Sequence, residues 1–132
     1  MRRSEAREVA FLLMFEKEFS TDDVAAIIEA AGEARDVHLS AFARRLFEGA
    51  VAQQEEIDAL ISAHAHNWHV SRLTKVSLAV LRVAVYEMLH ESDTPEAVVI
   101  NEAIELTKKY AGEEDAAFVN GVLGGVSRRE QA

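Results

Sequence analysis

The chain has 132 residues, enough for one domain with a substantial apolar core. It has no cysteine, which excludes disulfides, thiolate metal sites and cysteine nucleophiles. Its net charge of −9 argues against a nucleic-acid binder that relies on bulk electrostatics. The longest apolar run, Val9 to Phe15, is too short to span a bilayer. The charged start Met1-Arg2-Arg3-Ser4-Glu5 has no signal-peptide core behind it, so the expectation is a cytoplasmic protein with no membrane partner.

Apolar residues recur with helical period nearly everywhere, in seven segments. The first runs over about 4–19. Ser20-Thr21-Asp22-Asp23 supplies capping chemistry for the second, which Gly32 is expected to stop. The third carries Leu39, Phe42, Ala43, Leu46, Phe47 and Ala50 on one face, and the fourth carries Ile57, Leu60, Ile61, His64 and Trp68.

The fifth segment, about 71–91, is apolar nearly all round, as expected of a helix enclosed by neighbours. Its one polar stripe is Arg72, Lys75, Arg82 and Tyr86. Thr94-Pro95-Glu96 predicts an N-cap threonine and a first-turn proline for the sixth helix, which Gly112 ends. Glu113, Glu114 and Asp115 suit the positive end of a seventh. No stretch alternates with strand period, so the fold class is all-α in a single domain spanning 1–132. Residues 1–8 read as a flexible basic arm and 127–132 as a disordered tail.

Catalytic signals are few. Glu87-Met88-Leu89-His90 has the Glu-x-x-His step of di-iron bundles, but the second step such a site needs is missing. His64, His66 and His69 cluster near one helix end, where histidines usually serve surface or capping roles. No phosphate loop, nucleophile elbow or dinucleotide fingerprint occurs. The expectation is a non-enzyme with no cofactor and no metal.

Binding features are richer. Arg3, Arg7, Phe11 and Phe15 stand four apart on one face of the first helix, where guanidiniums can reach phosphates and an aromatic can stack a base. Val9 to Phe15 is apolar on all sides, so packing competes for both aromatics. Asn101 interrupts an apolar helical pattern, and Phe118 is followed by Val119, Asn120 and Gly121. Between Tyr86 and Asp115 nine acids stand against Lys108 and Lys109, a local charge of −7 that fits a basic partner.

The order and spacing of several segments resemble the NusB family of bacterial transcription antitermination factors. They are Ala6-Arg7-Glu8, Gly49-Ala50-Val51, Ile57-Asp58, Trp68, the run from Leu81 through Arg82 and Tyr86 to Glu87, Pro95, the run from Val99 to Leu106, and the run from Phe118 to Leu123. The resemblance covers nearly the whole chain. It implies two small helical bundles packed into one all-α domain, and a binding function without chemistry.

In that family the protein pairs with NusE, a ribosomal protein of the small subunit. The pair binds the boxA element of ribosomal RNA leader transcripts, helping RNA polymerase within an antitermination complex to ignore terminators. By matching motif, the implied RNA contacts are Arg2, Arg3, Arg7, Phe15, Phe118 and Asn120. Ser4 and Glu5 depart from the more basic pattern of relatives, which implies weaker RNA binding by this chain alone. Some family members self-associate, so a homodimer is a further expectation. The acidic cluster suggests a NusE surface built from Arg82, Tyr86, Glu87 and Glu91. Two other readings are an accessory helical domain of an RNA cytosine methyltransferase, although no methyl-donor segment follows, and a small non-enzymatic helical bundle that binds a metal or acts as an oligomeric interaction protein.

Overall fold

The computed structural model describes residues 2–35, 40–65 and 73–131, and the side chains of all of these except 33–35 and 129–131. Among the described residues there are seven α-helices and no strand: α1 Arg3–Glu18, α2 Val24–Arg35, α3 Ala41–Ala52, α4 Gln54–Ala63, α5 Lys75–His90, α6 Glu96–Tyr110 and α7 Glu113–Gln131. The all-α expectation holds.

Local chemistry sets most of the boundaries. Asp23 Oδ1 accepts the Ala26 N–H at the start of α2, Ser40 Oγ that of Ala43 at α3, and Thr74 Oγ1 that of Ser77 at α5. Gly112, at φ +114°, turns the chain between α6 and α7, and its N–H bonds Thr107 O at 3.0 Å. Two boundary expectations fail. Gly32 does not stop α2, which runs on to Arg35, because one helical glycine costs only about 1 kcal/mol. The N-cap of α6 is Pro95, and the Thr94 hydroxyl accepts a bond from Arg3 instead.

The helix α5 is the axis of the molecule. It packs on α1, α3, α4, α6 and α7, and α6 and α7 form the most extensive helix pair. One continuous buried cluster runs through it, from Phe11, Leu13 and Met14 to Leu46, Phe47, Ile57, Ile61, Leu81, Val85, Val119 and Leu123. Where α3 crosses α5 the backbones come close. A Cβ on Gly49 would fall 2.1 Å from the Tyr86 ring, so only glycine fits this crossing as it stands.

The two terminal expectations are revised. Residues 3–8 are the first turns of α1, with Ala6 and Arg7 buried, and do not form a loose arm. The tail expected from residue 127 is helical as far as Gln131, and the Ser127 hydroxyl donates to Glu96.

Candidate functional site

The residues singled out from the sequence separate into buried ties and surface groups. Arg7 is only 5% exposed. Its Nε and Nη2 donate to the Glu87 carboxylate at 2.9 and 2.8 Å, and Glu102 lies 3.6 Å from Nη1. The bonds to Glu87 raise the Arg7 pKa above its ordinary value, with burial opposing and the charges of Glu87 and Glu102 adding. This guanidinium faces two internal acids and is almost sealed from solvent. In this structure Arg7, expected as an RNA contact, joins α1, α5 and α6.

Most residues of the expected protein-docking surface are likewise turned inward. Glu87 is 1% exposed and belongs to Arg7. Arg82, 5% exposed, donates to both Asp58 oxygens at 2.9 Å and to Glu18 at 2.8 Å, tying α5 to α4 and α1. Burial lowers its pKa, but the bonds to Asp58 and Glu18 outweigh it and leave the net shift upward. Glu91 is nearly covered and holds Arg45 at 3.0 Å. Tyr86 is half-buried, stacked on His90 at 4.7 Å and facing Gly49. A helix enclosed by neighbours turns its polar side chains inward, where only an internal partner makes them tolerable.

Three of the expected contacts keep an outward aspect. Arg2 is exposed and pairs with Glu5 at 2.8 Å. Arg3 donates to Thr94 Oγ1 at 3.1 Å and to Asp93 at 3.4 Å, and its guanidinium lies 4.2 Å from the centre of the Phe42 ring. Asn120 is exposed on the outer side of α7, and Asn101 is exposed on α6.

The aromatics occupy the other end of α1, about 18 Å along the helix from Arg3 at 1.5 Å per residue. Phe15 is half-buried, 6.3 Å from Phe11 in an edge-on contact and 5.0 Å from Phe19, which is 65% exposed. With Phe11, Leu12, Glu16, Val76 and Tyr110 it lines an open groove of about 360 Å³. Tyr110 is fixed there, because its hydroxyl and Lys109 Nζ both donate to Glu8 at 2.6 Å. Those two bonds hold the Glu8 carboxyl below its usual range, against a small effect of burial. Phe118 is half-buried and packs against the core. The structure therefore groups Arg2 with Arg3 at one end of α1 and Phe15 with Tyr110 at the other.

Three participants were missed from the sequence: Phe42, Arg45 and the group of Glu8 with Tyr110. Phe42 was read as core, and it is 7% exposed, but its ring also carries the guanidiniums of Arg3, Arg7 and Arg45 within 5.5 Å. The adjacent Arg44 and Arg45 on the polar side of α3 were the available signal.

His66, His69, Trp68 and Arg72 lie outside the described residues. His64 is half-buried at the end of α4, and its Nε2 has no hydrogen-bond partner among the described residues. Among those residues no three histidine, aspartate or glutamate side chains gather as a metal site. Among the described residues no helix is long and apolar enough to cross a membrane.

The model of the NusB family matches residues 4–128. The transcription antitermination protein NusB of Acetivibrio thermocellus is 41% identical over 128 residues, covering 96% of this chain and 88% of that protein. Its namesake from Myxococcus xanthus is 39% identical over 131 residues, covering 95% and 94%. Among solved structures, T. maritima NusB superposes with a TM-score of 0.85 at 35% identity, covering 97% of this chain and 92% of the other. A chain from the crystal structure of antitermination factors NusB and NusE in complex with dsRNA gives a TM-score of 0.86 at 28% identity, covering 96% of each.

Proposed function

The chain belongs to the NusB family, and from that premise we propose that it acts as a transcription antitermination factor, binding RNA together with a basic ribosomal-protein partner of the NusE type. The observation that carries this reading is the superposition, over 96% of both chains, on a NusB chain solved with NusE and dsRNA. We take the RNA to be the boxA element of ribosomal RNA leader transcripts and the setting to be an RNA polymerase antitermination complex. The function is one of binding, and no residue is given chemistry to perform.

The residues that support RNA contact are Arg2 and Arg3 at the start of α1, Phe15 beside the aromatic groove, and Phe118 and Asn120 on α7. Arg7 supports them indirectly by fixing the start of α1. Every arginine at this end already has an acid within reach, so phosphates must displace internal carboxylates. This favours modest affinity for the isolated protein and a gain when a partner adds its own cationic surface. The overall charge of −9 favours a basic partner through long-range attraction.

The test is binding of a labelled boxA-like RNA, with and without the cognate ribosomal protein, at two salt concentrations. Salt-sensitive binding that tightens with the partner is expected. An absence of binding under all four conditions would overturn the reading.

A further inference from the structure

Near the start of α3 the Phe42 ring holds two half-exposed guanidiniums from separate elements, Arg3 of α1 at 4.2 Å and Arg45 of α3 at 5.5 Å. Each also has a carboxylate from the segment that follows α5. Asp93 meets Arg3 at 3.4 Å, and Glu91 meets Arg45 at 3.0 and 3.3 Å. These two acids differ in kind. Glu91 is 11% exposed and bonds Arg45 twice, whereas Asp93 is 68% exposed and makes one long contact. A single exposed pair at that distance contributes little and exchanges readily.

A guanidinium held over an aromatic face by cation–π attraction keeps N–H groups with which to hydrogen-bond an anion. Two guanidiniums over one ring suit an oxyanion that spans them, and each phosphodiester of an RNA backbone is an anion whose oxygens arginine forks match. We propose that Arg3 and Arg45, seated together on Phe42, form a clamp for one backbone phosphate of the bound RNA, with Asp93 the internal ligand that the phosphate displaces. This rests on the RNA-binding reading above and extends the RNA surface from α1 onto α3. Arg44, one residue away and paired with Glu48 on its own helix, is not among the guanidiniums around the ring and lies outside the clamp.

The clamp is tested by RNA titrations in the presence of the cognate ribosomal protein, across a salt series. The proteins are the wild type, Arg3→Ala, Arg45→Ala, Arg44→Ala, Asp93→Asn and the double variant Arg45→Ala with Glu91→Gln. Arg45→Ala is expected to weaken binding roughly five- to tenfold. It should do so equally for unrelated RNA sequences and lower the salt slope by about one, as loss of a phosphate contact requires. Asp93→Asn is expected to tighten binding about two- to threefold, a gain that misfolding cannot produce. The double variant should bind as weakly as Arg45→Ala, and Arg44→Ala should match the wild type.

Wild-type affinity and slope in Arg45→Ala, with Arg3→Ala weakened, would overturn the clamp and leave the RNA-binding reading standing. Recovery of binding in the double variant would also overturn it, since the defect would then belong to the unpaired Glu91. A wild type that binds no RNA would overturn both.

Discussion

Arg7 and Glu87, eighty residues apart in the chain, meet in the core through a two-pronged hydrogen bond, with both side chains almost sealed from solvent. Neither is tolerable there alone. Breaking such a pair from one side leaves an uncompensated buried charge, which typically costs 3–5 kcal/mol, about as much as a small domain can lose. Arg7→Ala is therefore expected to destabilise the protein by roughly 3 kcal/mol or more in urea unfolding. Arg7→Met combined with Glu87→Leu should cost much less than either single change. A single-variant loss below about 1 kcal/mol would show that water reaches the pair.

The crossing of α3 over α5 predicts a second, steric effect. In Gly49→Ala the new methyl meets the end of the Tyr86 ring, which is itself stacked on His90. Destabilisation of about 1–3 kcal/mol is expected, as for other overpacked contacts. In a double-mutant cycle with Tyr86→Leu the two changes should couple by at least 0.5 kcal/mol. Additive effects would mean that the crossing relaxes elsewhere.

Acidification should weaken the fold through Glu8 and Glu18. The bonds from Lys109 and Tyr110 hold Glu8 below its ordinary value. At Glu18 burial pushes the value up, but the bonds from Lys75 and Arg82 outweigh it and leave a net lowering. A depressed folded value means that the contribution is complete above the unfolded glutamate value of about 4.3 and is lost as pH falls through the folded values. Glu18→Gln should therefore unfold more easily than wild type at pH 7, with the two stabilities converging below about pH 4. A constant difference from pH 7 to pH 3 would show that the carboxylate charge of Glu18 contributes nothing.

Asn120 separates function from stability. It is exposed on α7, so Asn120→Ala should leave unfolding within about 0.5 kcal/mol of wild type. Its loss is expected to weaken RNA binding about fivefold, the worth of one hydrogen bond. Phe15→Ala, by contrast, should lower both quantities, because the ring packs on Phe11 as well as facing the groove. Unchanged RNA affinity in Asn120→Ala would remove α7 from the RNA surface.

Much of the helical architecture was legible from periodicity and punctuation. The breaks at Ser20-Thr21-Asp22-Asp23 and Gly112 fall where capping and a positive φ require them. Gly32 misled because a single helical glycine costs only about 1 kcal/mol, which the helix carries. The site was less legible, for a physical reason. Burial on an amphipathic helix shows in the spacing of its apolar residues, but a buried arginine shows only in its partner, and Glu87 is not local to Arg7. The apolar surround of α5 did carry the warning. On a helix enclosed by neighbours, Arg82 and Glu87 face inward, where internal partners hold them. The clamp on Phe42 was hidden because a core aromatic and a ring for guanidiniums look alike in sequence.

The ties at the two ends of α1 also settle its alignment. Apolar packing between antiparallel helices is nearly indifferent to a slip of one turn, about 5.4 Å, because the same kinds of side chain meet again. Arg7 with Glu87 near one end, and Glu18 with Arg82 at the other, are not indifferent, since any slip strands both sets of charges together. α1 is thereby held at one height on α5, so that Arg3 and Phe15 form a ruler of fixed length along the outer face of the molecule. An extended strand laid across that face meets its two landmarks at a spacing that the interior has already chosen.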